Sequence, residues 1–125
     1  MPLQPFRAEV AGDADQVVVT LHGDINVSAD DGLAAAYAEA AAREARVIVL
    51  DFGATDYINS TGIALIVRFL SDARGADRDV RAMGLSPHYT AIFRITRLSD
   101  YMHIQDTDAS EATDGPDLTT SGGDR

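Results

Sequence analysis

The run Val47 to Phe52 (VIVLDF) is apolar at every position except Asp51. A strand on a half-solvated sheet alternates apolar with polar residues, whereas a strand of a parallel sheet covered on both faces reads as one continuous apolar stretch. Val47 to Phe52 is therefore expected to be the central strand of a sheet with parallel neighbours. Parallel strands need a crossover that returns the chain, usually a helix, and helical patterns stand on both sides of this run. After it, Ile63, Ile66, Val67 and Leu70 follow the i, i+3, i+4, i+7 template within Thr61 to Arg74, with Gly75 placed as a stop. Before it, Ser28 and Asp31 are spaced as a capping box, and Leu33, Ala36, Tyr37 and Ala40 recur at helical spacing to near Glu44.

The rest of the chain extends this alternation. Phe6 to Val10 and Val17 to Leu21 flank the turn-forming Gly12-Asp13-Ala14-Asp15, which predicts a β-hairpin. Val80 to Leu85 reads as a further strand. Ser86-Pro87 then offers an N-cap followed by proline at the first helical position, with Tyr89, Ile92, Phe93 and Thr96 continuing a helix to near Leu98. Tyr101 to Gln105 is a candidate last strand. The expected fold class is α/β: a single domain over residues 1–105, with a small, mostly parallel mixed sheet, an N-terminal hairpin and helices packed on it. Residues 106–125 hold many Ser, Thr, Gly and Asp and only Leu118 among large apolar residues, so they are expected to form a disordered acidic tail.

Composition removes several classes of function. The formal net charge of -10 argues against attraction to phosphate backbones, so nucleic acid is not an expected partner. No cysteine and no lysine is present, and all ten basic residues are arginine. Disulfides, thiolate metal sites, Schiff-base chemistry and a Walker-type lysine are thereby excluded. No apolar run reaches the roughly 18 residues of a membrane span, and the N-terminus lacks a secretory pattern, so a soluble, cytoplasmic protein is expected. His22, His88 and His103 show no metal-ligand spacing, and neither metal nor cofactor is assigned.

Gly53 to Asn59 separates the apolar strand from the next helical pattern, and as a loop it exceeds the roughly 2–6 residues usual for a βα connection. It delivers Ser60 and Thr61 to a helix N-terminus, where unpaired N–H groups and the positive end of the dipole favour an added anion. Ser60 is thus a reasonable phosphoacceptor, with Thr61 as the alternative. The plainer reading is that Ser60 merely caps the helix, and that Gly62 is a close-packing or turn position. Asp24, after Gly23, and Asp56 would present like charge to a phosphate if both approach Ser60. Leu65 falls off the expected core stripe, with Phe69 at its border, and is free either to meet a partner or to pack on a neighbouring helix. A serine-hydrolase reading fails, because Ile58 stands where the nucleophile elbow G-x-S-x-G requires glycine.

Ile48 to Val67 (IVLDFGATDYINSTGIALIV) resembles the signature of STAS domains of the anti-sigma-factor antagonist family, in which an apolar strand ending in Asp leads to a D-S-[ST]-G-[LI] helix start. Leu21 to Asn26 resembles the family's segment before the first helix, and Leu85-Ser86-Pro87 with Ile92-Phe93 its fourth-strand-to-third-helix region. The resemblance implies a bacterial, non-enzymatic regulator of transcription. Such a protein binds an anti-sigma factor, often a serine kinase, and releases the sigma factor. Phosphorylation at Ser60 would end the interaction and a phosphoserine phosphatase would reset it, ATP and magnesium belonging to the kinase. The implied docking rim is Gly23, Asp24, Asn26, Asp56, Asn59, Thr61 and Gly62, to which the off-stripe Leu65 adds. Asn59 and Asn26 depart from the family, which usually carries aspartate at both. The alternative is an unphosphorylated STAS scaffold or adaptor in a sensory assembly.

Overall fold

The computed structural model describes residues 5–105. The expected tail at 106–125 lies outside the described residues, as do residues 1–4. Five strands form one sheet in the order β1 (Arg7–Gly12), β2 (Val17–Ile25), β3 (Val47–Ile58), β4 (Asp79–Met83) and β5 (His103–Ile104). Only β1 and β2 pair antiparallel, and their hairpin closes where Asp13 donates its N–H to the Gln16 carbonyl at 3.0 Å. The remaining pairs are parallel. Their crossovers contain α1 (Asp30–Ala42), α2 (Ser60–Gly75) and α3 (Pro87–Ile95), with short 3-10 turns at Val27–Ala29 and Leu98–Asp100. Each crossover steps one strand further in the same direction, so right-handed connections set all three helices on one face.

The core lies under that face. Val17, Val19 and Leu21 of β2, Ile48, Leu50 and Phe52 of β3, and Val80 and Ala82 of β4 meet residues of every helix in one buried cluster. Phe52 and Phe93 pack edge to face at 5.7 Å, as do Tyr37 and Phe69 at 5.3 Å. Each large side chain so buried contributes about 1.5–3 kcal/mol. The opposite face carries the intervening residues, and its best-buried member, Val49, lies between its register partners Val18 and Arg81 and outside the helix-covered cluster. The helices thus cover one face of β3 only, although Val49 on the other face is itself buried.

Several boundaries move for identifiable reasons. Gly53 to Ile58 is not a loop, because β2 also runs on to Ile25 and the two strands stay paired through register shifts at Thr20/His22 and Gly23/Asp24. The helix expected to start with a Ser28 capping box begins instead with a 3-10 turn capped by Asn26, and no side chain caps α1 itself. The buried face of α2 is Gly62, Ile66, Phe69, Leu70 and Ala73, turned by about one residue from the expected stripe, so Val67 is 45% exposed and Phe69 is buried. Strand β4 stops at Met83, because Gly84 turns the chain with φ of 76°. Among the described residues no helix is long and apolar enough to cross a membrane.

Candidate functional site

The carboxyl ends of β2 and β3 lie side by side, Asp24 opposite Tyr57 and Ile25 opposite Ile58. Both strands then run straight into helical turns, and an asparagine stands at each junction. Asn26 Oδ1 accepts from the Ser28 N–H at 2.9 Å and from the Ser28 hydroxyl at 2.6 Å. Asn59 Oδ1 accepts from the Gly62 N–H at 2.8 Å, while the Asn59 N–H donates to the Ile25 carbonyl at 3.2 Å. The second junction is thus tied to the end of β2 as well as capped.

Gly62 explains how close this approach is. A Cβ there would fall inside the Ile25 carbonyl oxygen and 2.7 Å from its carbonyl carbon. Only a residue without a side chain lets the first turn of α2 seat on the end of β2, which favours the close-packing reading of Gly62. Gly23, with φ of 82°, uses the left-handed region next to the second register shift.

Because Asn59 is the cap, Ser60 is not. It occupies the first helical position, exposed, and its hydroxyl makes no hydrogen bond among the described residues. Thr61 is exposed beside it. The amides of this first turn lack intrahelical acceptors, and the aligned helix dipole favours negative charge there.

The cluster at the strand ends brings together Gly23, Asp24, Asn26, Asn59, Ser60, Thr61 and Gly62. Burial divides it: Gly23, Asp24 and Gly62 are buried, Asn26 and Asn59 half-buried, Ser60 and Thr61 exposed. Asp24, 6% exposed, is the only buried charged side chain among the described residues. Asp56 shares this end of the sheet and is exposed, and it lines a crevice formed with residues that follow β4 and begin α3, on the far side of β3 from β2. Leu65 sits apart, half-buried against the core and lining the groove between α1 and α2.

Sequence reasoning passed over three residues. Val27 and Tyr57 are 69% and 55% exposed at the two junctions, and tyrosine is a residue type enriched at the energetic centres of protein interfaces in general. An aromatic residue in a segment of polar and small residues was the available signal for Tyr57. Tyr89 of α3 accepts the Ile58 N–H through its hydroxyl at 2.9 Å, a contact that no spacing rule would reveal.

Residues 8–105 match the family model described as "Mlab, STAS domain". The chain belongs to the STAS domain family. Its fold recurs in solved structures. The anti-sigma factor antagonist SpoIIAA in its unphosphorylated form superimposes with a TM-score of 0.63 at 18% identity, over 85% of this chain and 92% of that one. An anti-sigma factor antagonist from Mycobacterium paratuberculosis gives 0.68 at 17% identity, over 83% and 88%. The phosphorylated form of SpoIIAA from Bacillus gives 0.61 at 18% identity, over 84% and 95%. At such identities the likeness establishes the shared fold. No curated protein matches the sequence.

Proposed function

We propose that this STAS domain is an anti-sigma-factor antagonist that docks an anti-sigma factor through the ends of β2 and β3 and the first turn of α2, and that phosphorylation at Ser60 ends the docking. One observation carries the reading: Asn59 holds the helix cap, so the exposed Ser60 hydroxyl is not needed by the fold and is open to modification. A phosphate there would add about -1.5 to -2 charges at a helix N-terminus, which the fold tolerates and a docked partner does not. A fold shared with an antagonist solved in both unphosphorylated and phosphorylated forms supports it.

In this reading the chain is substrate and ligand, not catalyst. The anti-sigma factor is the serine kinase and supplies ATP and magnesium, a phosphoserine phosphatase restores the free form, and the cycle runs in the cytoplasm. Gly23, Asp24 and Gly62 shape the rim from beneath, while Asn26, Asp56, Asn59, Thr61 and Leu65 add polar and apolar contact around it. Thr61, equally exposed, is the alternative acceptor.

The test is binding of candidate anti-sigma kinases to the wild type, Ser60→Ala and Ser60→Asp, with phosphosite mapping after incubation with ATP. Wild type and Ser60→Ala are expected to bind, Ser60→Asp to lose binding, and the label to map to Ser60. Equal binding by all three with no label would leave the alternative, an unphosphorylated scaffold or adaptor. Two observations favour that second reading: both junction caps are neutral asparagines, and the matching family model bears the name Mlab and not that of an antagonist.

A further inference from the structure

Between the ends of β3 and β4 and the start of α3 lies a cavity of about 210 Å³. Its walls are Phe52, Ile58, Leu85 and Tyr89, with Asp56 and Ser86 adding polar atoms. Two glycines let the strand ends meet beneath it. Gly84 turns with φ of 76°, and a Cβ there would stand 2.6 Å from the Gly53 nitrogen. The Tyr89 hydroxyl oxygen already accepts from the Ile58 N–H, and Ser86 Oγ from the Tyr89 N–H at 3.2 Å. These bonds fix both side chains and leave each oxygen a further lone pair.

The geometry points to this cavity as the socket for a single arginine side chain of the docking protein, an inference that rests on the reading of this end of the sheet as a protein-binding face. Size is the first reason. Pockets that enclose whole small molecules span about 300–1,000 Å³, so this one fits one side chain better than a metabolite. Charge is the second. Asp56 offers an exposed carboxylate, no basic residue among the described residues lines the cavity, and the chain as a whole carries -10. Shape is the third. A guanidinium is planar, stacks on aromatic rings such as Tyr89 and pairs with a carboxylate through two parallel N–H bonds, which an ammonium does not match. The apolar walls would cover its aliphatic stem. The groove between α1 and α2 is less suitable, at about 70 Å³ and already bridged by the Arg68–Asp30 pair at 3.5 Å.

The test needs no identified partner. N-acetyl-arginine amide is titrated into the labelled protein and followed by amide proton–nitrogen correlation spectra, with N-acetyl-citrulline amide as the uncharged counterpart. Saturable shifts of the Gly53, Ile58, Gly84 and Tyr89 amides are expected with the arginine probe, several-fold weaker with citrulline. Asp56→Asn, on the exposed surface, should weaken the arginine response about tenfold, as for loss of one charge-assisted contact. Ser60→Ala should leave it unchanged. Absence of shifts at those amides, equal response to citrulline, or full response in Asp56→Asn would overturn the socket. If kinase binding still answers to Ser60→Asp while the arginine probe fails, the proposed switch stands and the socket falls. If the probe binds while kinase docking fails, the converse holds.

Discussion

Two serines follow two capping asparagines, and their hydroxyls have opposite fates. After β2, Ser28 gives its hydroxyl to Asn26 Oδ1 at 2.6 Å and belongs to the turn. After β3, Asn59 spends the same atom on the Gly62 N–H, and Ser60 keeps its hydroxyl for solvent. The difference follows from what lies under each turn. At the second junction Gly62 seats directly on Ile25, so the chain enters an α-helix at once and its first side chain is carried outward. At the first junction the chain makes a 3-10 turn before α1, which brings Ser28 back toward the cap. Occurrence of serine near a helix start is thus no guide to availability for modification. The atom that occupies the cap decides it.

This comparison is open to direct attack by substitution. Gly62→Ala should have the largest effect, because its methyl would overlap the Ile25 carbonyl. A loss of about 3 kcal/mol or more is expected in urea unfolding, since overpacking outweighs the gain of about 1 kcal/mol in helix propensity. Asn59→Ala should lower stability by about 1 kcal/mol through loss of the cap, while Asn59→Asp keeps an acceptor there and should stay within about 0.5 kcal/mol of wild type in the same assay. Ser28→Ala removes one side-chain hydrogen bond, and thermal unfolding should report a loss of about 0.5–1 kcal/mol. Ser60→Ala should be the smallest change, within about 0.5 kcal/mol. A loss at Ser60 matching that at Ser28 would remove the contrast between the two junctions.

The alternation of strand and helix was legible because its signals are local. VIVLDF, the Ser86-Pro87 start and the turn between the first two strands each carry their own chemistry. Gly53 to Ile58 misled, because Gly, Ala and Asp have weak strand propensity, and only pairing with an equally extended β2 keeps the segment in the sheet. The stripe on α2 misled for a related reason. Large apolar residues mark a buried face only when they sit at its centre, and here the centre is held by Gly62, Ile66 and Ala73, two of them small. At the site, Ser60 and its neighbours were legible as a motif on a helix start. That Asp56 is skipped between the pairs Gly23–Thr55 and Asp24–Tyr57 depends on a register shift that sequence does not announce. Tyr89 reaches Ile58 from a helix 31 residues away, a contact created by packing alone.

The seating of Gly62 on Ile25 also bears on what the proposed switch would change. The backbone around Ser60 follows directly from the end of β3 and is tied to the end of β2 through Asn59 and Gly62. Esterifying that hydroxyl would then rewrite the surface and leave the architecture as it was. A kinase would be changing a label on a fixed post, and the news would travel as altered electric field and bulk at one spot, read by whatever protein next presses against it.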